Sequence, residues 1–292
     1  MDRRGFLMSS LAVGAGAAVL GRMSTAAAAP EGAFSKLPIR MSVPIDFFEG
    51  TTDQKLEQVA KWGFPAYEWL GPEGDFDAIR KKADSLGLEL SCMVGAGAIA
   101  PGGMVEPKDH DGIVKQFKER VEIAKQLNCK HLVGLSGNTR KGADRQKQTD
   151  AVVECLKKLA PIAEQNGVII VMEALNTLVD HKGYFMARTD HTMKILKAVN
   201  SPNVKMLFDI YHQQITEGNV IRNLKSNIDR IGHFHVADNP GRKEPGTGEL
   251  NYTNIFKAIA STNYKGFVAL ECGSSTKNNE DILKATLACF PA

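Results

Sequence analysis

Short apolar runs alternate with amphipathic segments along most of this chain. The runs are four to eight residues long and rich in Val, Ile, Leu and Phe, as buried parallel strands are. We predict eight strands: Ile39–Pro44, Ala66–Leu70, Leu88–Val94, His131–Leu135, Val168–Glu173, Val204–Asp209, Ile231–Val236 and Phe267–Glu271. The segments between them repeat apolar positions with the helical period. This alternation predicts βα units and a parallel sheet.

The number of strands decides the fold class. Eight strands with intervening helices predict one closed (β/α)8 TIM barrel, which typically needs about 250 residues. Residues 30–292 contain no linker or low-complexity block, so they are predicted to be a single domain. Glycine or asparagine ends several helical patterns, as at Gly63 and Asn128, in the manner of helix C-caps. Pro161 falls inside another pattern and is expected to kink or split that helix.

Polar side chains interrupt the ends of four successive predicted strands. A carboxylate in a buried strand is costly unless it is paired or binds a cation. In a barrel the carboxyl ends of the strands form the active-site face. One such residue alone is better explained as a hydrogen-bonded core group, but four together favour a single metal site. Its predicted ligands are Glu173, Asp209, His235 and Glu271.

The predicted ligand set contains three carboxylates and one imidazole. These hard donors suit one divalent metal ion, with Mn²⁺, Mg²⁺ or Co²⁺ preferred and Zn²⁺ also compatible. His212 follows Asp209 by three residues and either faces this site or bonds to backbone. Arg242 lies in the long polar loop after the seventh predicted strand, where it either binds a substrate carboxylate or is a solvated charge. His233 is expected to have a buried supporting role.

The first 29 residues resemble an export signal rather than part of the domain. Arg3-Arg4 precedes an apolar Gly/Ala-rich run and an alanine stretch, which resembles a twin-arginine signal for export to a periplasm. The run is shorter than the roughly 20 apolar residues of a spanning helix, although a retained anchor is an alternative. Without this segment's net charge of +2, residues 30–292 carry only +1 of the chain's +3. We therefore expect no nucleic-acid partner and no stable membrane insertion after signal removal.

The motifs IGHFHVADNPGRKEPGTGELNY and FDIYHQQITEGN, with the Glu173 and Glu271 strand ends, resemble the xylose isomerase-like barrel superfamily. Within it the chain most resembles hydroxypyruvate isomerases and next the ketose 3-epimerases. The resemblance implies that Glu173 and Glu271 are both metal ligands and the catalytic acid/base pair. It also implies that His212 and Arg242 contact substrate. His235 departs from the isomerases, which typically have glutamine there, and agrees with the epimerases.

The resemblance implies proton transfer through a cis-enediolate. The first expectation is isomerisation of hydroxypyruvate to 2-hydroxy-3-oxopropanoate, and the second is ketose 3-epimerisation or another sugar isomerisation. A non-catalytic periplasmic carbohydrate-binding barrel is the alternative of a different class. The metal-dependent endonucleases of the superfamily use more histidines, and the near-neutral charge argues against them. The expected partners are a small sugar or hydroxy-keto acid and, by analogy with relatives, a second copy of the chain.

Overall fold

Nine parallel strands form one sheet in the computed structural model, which describes residues 31–100 and 103–290. The predicted export signal at residues 1–29 lies outside the described residues. Each strand is rich in buried apolar side chains, as expected for a sheet covered by helices. The strands are β1 Arg40–Pro44, β2 Ala66–Glu68, β3 Glu89–Leu90, β4 Met93–Ala98, β5 His131–Ser136, β6 Ile169–Glu173, β7 Val204–Asp209, β8 Ile231–Val236 and β9 Phe267–Leu270.

The sheet curls into a nearly closed barrel in the order β3-β2-β1-β9-β8-β7-β6-β5-β4. The TIM-barrel prediction is confirmed, but the third predicted strand is divided into β3 and β4. The first part pairs with β2 and the second with β5, so the chain changes partner at the corner of the barrel. Three backbone hydrogen bonds cross this corner. The N–H groups of Ser91 and Val94 donate to Tyr67 and Leu70, both at 2.8 Å, and that of Trp69 donates to Cys92 at 3.4 Å.

Helices cover the outside of the barrel. They are α1 Thr52–Trp62, α2 Phe76–Ser85, α3 His110–Leu127, α4 Arg145–Asn166, α5 Thr189–Val199, α6 Ile210–Thr216, α7 Val220–Ser226, α8 Tyr252–Ala260 and α9 Asn279–Ala288. Gly63 and Asn128 end α1 and α3 in the left-handed conformation, as predicted. Pro161 lies inside α4 without splitting it. No helix of the described residues has the length and apolarity that a membrane crossing requires.

Helix α6 follows β7 directly and was not predicted as a separate helix. Its first turn is held by Asp209, whose Oδ1 accepts the backbone N–H groups of Tyr211 at 2.8 Å and His212 at 3.2 Å. An aspartate in this position satisfies two of the free donors at a helix start. The same contact fixes the side chain at the strand end and leaves its other oxygen directed towards the barrel mouth. His212 is therefore a helical residue whose position depends on Asp209.

Candidate active site

The four residues predicted as metal ligands lie together at the carboxyl end of the barrel. Glu173 ends β6, Asp209 ends β7, His235 is the last but one residue of β8, and Glu271 follows β9 directly. Each offers one ligand atom, and these four atoms lie within 4.8 Å of one another. The parallel register produces this grouping, since Asp209 pairs with His235 on the neighbouring strand. We call these four residues the strand-end cluster.

The imidazole of His235 lies between carboxylates. Its Nδ1 is 3.0 Å from Oε2 of Glu271 and 3.5 Å from Oε1 of Glu173. Burial alone would lower the pKa of His235, but the surrounding carboxylates, led by Glu68, hold it well above its usual range. The carboxylates around this ring, Glu68 and those of the cluster, thus favour the protonated imidazole.

The two glutamates of the cluster have opposite pKa shifts. Burial raises the pKa of Glu173 to about 7, since it outweighs the opposing effect of His235; the nearby charges of Glu271 and Asp209 add to the rise. Burial would also raise the pKa of Glu271, but His235 and Arg242 outweigh it and hold the pKa below its ordinary value. Glu271 keeps a 27% exposed side chain, whereas Glu173 is buried. The cluster therefore contains one carboxyl group whose pKa is close to neutral pH, Glu173, and one that stays ionised at neutral pH, Glu271.

Several polar atoms of this cluster lack a hydrogen-bond partner among the described residues. They are Oε1 of Glu173 and both ring nitrogens of His235, all of which are buried. Buried polar atoms are normally satisfied by protein or by a bound partner. Three carboxylates and an imidazole converging on one point are also the donor set of a hard divalent cation. On both grounds the cluster fits a metal ion.

Arg242 reaches the cluster from the loop between β8 and α8. Its guanidinium lies 2.7 Å from Glu271 and 3.7 Å from Asp209. Burial would lower its pKa, but the nearby carboxylates raise it, so the group is a permanent cation. The residue has a left-handed φ of 53°, which is uncommon outside glycine, and its carbonyl accepts the N–H of Gly273 at 2.9 Å. The loop thus holds Arg242 in a strained conformation over the site.

His212 presents one ring nitrogen to the site. The side-chain amide of Asn176 donates to Nδ1 at 2.6 Å, so the proton of the neutral ring is on Nε2. Nε2 lies 3.4 Å from Asp209 but has no hydrogen-bond partner among the described residues. Burial is the main cause that lowers the pKa of His212. The ring is therefore a neutral N–H donor directed towards the cluster.

A second polar group lies beside the cluster inside the barrel. Glu68, Cys92 and His233 also bring metal-competent atoms within 4.8 Å of one another. Here, however, His233 Nε2 donates to Glu68 at 2.8 Å, and burial raises the pKa of the Cys92 thiol well above its usual value. The predicted supporting role of His233 agrees with this bonded geometry. We assign the group to support of the cluster rather than to a second cation site.

Glu68 is the residue near the site that the sequence reasoning missed. It interrupts the apolar run AYEWL, so the argument used for the four strand-end residues also applies to it. Its position in the second strand, far along the chain from the other four residues, gives no signal in the sequence that it joins them. Burial would raise its pKa, but His235 and His233 outweigh this effect and lower it to about 2.

Comparison with known proteins identifies the family. Residues 56–292 match the family model described as a xylose isomerase-like TIM barrel. The Escherichia coli hydroxypyruvate isomerase is 30% identical over 245 residues, covering 80% of this chain and 93% of the relative. The 2-oxo-tetronate isomerase of Cupriavidus necator is 33% identical over 214 residues, covering 72% and 82%.

A solved structure supports the same fold. The D-psicose 3-epimerase of Clostridium cellulolyticum H10 superimposes with a TM-score of 0.70 and covers 86% of this chain and 96% of its own. At 20% identity this likeness concerns the fold alone. The family model, which is matched by sequence over residues 56–292, carries the family assignment. The protein therefore belongs to the xylose isomerase-like TIM barrel family, and it is an enzyme of the isomerase class.

Proposed function

We propose that the chain is a metal-dependent isomerase that converts hydroxypyruvate into 2-hydroxy-3-oxopropanoate. The observation that carries this proposal is the strand-end cluster, in which Glu173 and Glu271 lie on strands separated by β7 and β8. Two carboxylates on opposite sides of one cation site are suited to moving a proton between adjacent carbons. The hydroxypyruvate substrate is supported by the names of the relatives at about 30% identity.

The strand-end cluster would hold the metal ion, for which Mn²⁺, Mg²⁺ and Co²⁺ are the preferred candidates. A cation bound there would polarise the substrate carbonyl and make the adjacent C–H group more acidic. Asp209, which also caps α6, and His235 take no part in the proton chemistry and would serve as ligands. Glu173 and Glu271 would share the ligand role with the proton chemistry.

The reaction moves one proton between carbons and leaves the atom count unchanged. Glu173, with its near-neutral pKa and unbonded Oε1, removes a proton from C3 of hydroxypyruvate. The electron pair of that C–H bond forms the C2–C3 double bond of a cis-enediolate. Glu173 returns this proton to C2, while the ionised Glu271 completes the transfer by taking the hydroxyl proton from the C3 oxygen and delivering it to the C2 oxygen, so both carboxylates end in their starting state. The carbonyl is then at C3 and the hydroxyl at C2.

Two further residues would bind the acid substrate. Arg242 offers a guanidinium at the mouth of the site, where its planar donors suit a carboxylate. His212 offers a neutral Nε2–H, which suits the oxygen that gains negative charge in the enediolate. Both groups already point towards the cluster in this structure. Their roles follow from the proposed substrate and stay predictions.

The test is proton NMR in deuterated water with hydroxypyruvate and each candidate metal. The wild-type protein should form the isomer and incorporate deuterium. At a saturating metal concentration, which offsets the loss of one charged ligand, E173Q and E271Q should each lower turnover by at least about 100-fold while metal content stays near that of wild type. E244Q, which changes a buried glutamate outside the cluster, is the matched control. Full activity in E173Q or E271Q would refute the acid/base assignment.

His235 favours a second candidate, a ketose 3-epimerase, since that group of relatives typically has histidine at this position. The same NMR experiment with ketoses separates the two reactions. Epimerisation exchanges the C3 proton and inverts that carbon without moving the carbonyl. Metal binding without exchange in any ketose, hydroxypyruvate or 2-oxo-tetronate would instead favour the carbohydrate-binding alternative.

We also propose that residues 1–29 direct export to the periplasm through the twin-arginine route. The support is the Arg3-Arg4 motif and the alanine-rich end of the segment. Fractionation of cells expressing the full chain should find the protein in the periplasm. R3K/R4K should retain it in the cytoplasm, and unchanged export of that variant would contradict the proposal.

A further inference from the structure

The carboxylate of Glu68 lies inside the barrel, beside the strand-end cluster. It belongs to β2, which is separated from β8 in the sheet by β1 and β9, and is 2% exposed. Its two oxygens face different histidines. Oε2 accepts the Nε2–H of His233 at 2.8 Å, and Oε1 lies 3.1 Å from Nε2 of His235. One carboxylate thus contacts the imidazoles of both His233 and His235 on β8.

Neighbouring hydroxyls fix the orientation of this carboxylate. Ser91 donates to Oε2 of Glu68 at 3.3 Å, and Ser42 lies 2.7 Å from the Ser91 hydroxyl. Because Ser91 uses its proton towards Glu68, Ser42 must be the donor in the second contact. Oε2 therefore has two donors, and Oε1 is left for His235. All four side chains of this arrangement are buried, which restricts its freedom to rearrange.

The two nitrogens of His235 face different partners. Nδ1 faces Glu173 and Glu271, while Nε2 faces Glu68. Only a nitrogen without a proton can bind a metal ion, so a neutral ring that binds through Nδ1 must carry its proton on Nε2. The contact between Nε2 and Oε1 of Glu68 is short, at 3.1 Å, although its angles are not those of a hydrogen bond. The geometry supplies an acceptor at the nitrogen that needs one.

We propose that Glu68 is a positioning residue, which holds the proton of His235 on Nε2 and so presents Nδ1 to the metal ion; this inference rests on the metal site of the proposed function. Carboxylates that accept the second N–H of a ligating histidine fix its tautomer and ring orientation. A glutamine at position 235 would need no such partner, because its amide has no second tautomer: the oxygen never carries a proton and is always free to bind a metal ion. Glu68 therefore matters most because this chain has histidine at 235.

The test is a double-mutant cycle on metal affinity. Mn²⁺ binding is measured by titration calorimetry in wild type, E68M, H235Q and E68M/H235Q. Loss of such a partner typically weakens metal binding about 10- to 100-fold, so E68M should do this when residue 235 is histidine. In the H235Q background the same change should alter affinity by less than about threefold. S91A, which removes a donor to Glu68 but leaves Oε1 in place, should also stay within about threefold.

A spectroscopic measurement covers the case in which E68M fails to fold. In the wild-type protein loaded with diamagnetic Mg²⁺, ¹⁵N–¹H correlation spectra should contain one Nε2–H ring that H235Q removes. A proton on Nδ1 of that ring would overturn the proposal, as would an equal loss of affinity from E68M in both backgrounds. If wild type binds no divalent ion, the metal-dependent function fails as well. If it binds metal and only Glu68 proves irrelevant, the proposed function stands alone.

Discussion

Two sets of buried carboxylates lie near the mouth of the barrel, and their oxygens are satisfied differently. One set is in the loop between β8 and α8. Asp238 there accepts backbone N–H groups from Asn239, Gly246 and Leu250 at 2.8–3.1 Å. Glu244, in the same loop, accepts the backbone N–H of Ser275 with one oxygen and its hydroxyl with the other.

The other set is the strand-end cluster, in which some carboxylate oxygens receive no hydrogen bond of their own from the described residues. Oε1 of Glu173 has no hydrogen-bond partner among the described residues, and Oε2 of Glu271 is shared between His235 and Arg242. Burial is similar for Glu173 and Glu244, so burial does not distinguish the two sets. Asp238 and Glu244 shape a loop, whereas the strand-end residues need a partner from outside. Unsatisfied oxygens, rather than buried ones, mark the functional site.

The largest effect that tests this comparison is on metal affinity. D209N should weaken divalent metal binding by about 100-fold or more, because a neutral amide replaces a charged ligand while asparagine still caps α6. D238N should leave metal affinity nearly unchanged but lower the free energy of unfolding by about 1.5–3 kcal/mol, since its loop loses a charge-assisted hydrogen bond. Calorimetric titration and chemical denaturation measure the two quantities. Equal losses of metal affinity in both variants would remove the distinction.

A smaller effect is expected on the free energy of unfolding of the metal-free protein. Here a change in the strand-end cluster should raise stability, whereas D238N lowers it. Glu173 has a folded-state pKa of about 7 against an ordinary value of 4.5, so the folded state keeps this proton longer than the unfolded state does. Its stability contribution is therefore lost as pH rises from about 4.5 to about 7. At pH 8, E173Q should be more stable than wild type by about 1–3 kcal/mol, whereas E244Q should be less stable.

The pH dependence provides the control for this prediction. At pH 5 the advantage of E173Q should nearly vanish, because wild-type Glu173 is then protonated. Histidines with lowered pKa values, such as His212 and His233, add the opposite slope in both proteins and cancel in the difference. Urea unfolding of the metal-free proteins at pH 5 and pH 8 measures the change. A constant difference at both pH values would show that Glu173 is not held protonated by the fold.

The sequence was sufficient to predict the barrel and the positions of the four cluster residues. The reason is physical, because a charged residue at the end of an apolar run stands out and the carboxyl ends of parallel strands meet on one face. The division of β3 from β4 was not predictable in this way. It depends on which neighbour each half of the strand pairs with, and that choice is made by barrel closure.

Side-chain pairing was also beyond the sequence. Asp238 lies two residues past the end of β8, close to a strand end as the cluster residues are, and only the backbone path of its loop shows that its oxygens already accept hydrogen bonds. Glu68 was equally visible as a carboxylate in an apolar run, but its neighbour His235 is more than 160 positions away. The position of Asn176 against His212 depends in the same way on the segment after β6 meeting helix α6. Contacts between distant segments decide which polar residues are ligands and which are supports.

The smallest effect that we predict concerns two neighbouring cations of the loop. Arg242 faces the strand-end cluster, whereas Lys243 donates to the backbone carbonyl of Ser274 at 3.1 Å. R242K keeps the positive charge, and lysine is as unfavourable as arginine in the left-handed backbone conformation at this position. It loses the planar pair of N–H donors that suits a carboxylate. KM for an acid substrate should therefore rise about tenfold, while kcat stays within about threefold of wild type. K243R should change neither constant by more than about twofold. Steady-state kinetics with hydroxypyruvate measures both, and a fall in kcat without a change in KM would instead assign Arg242 to holding Glu271, since the two groups already touch without substrate.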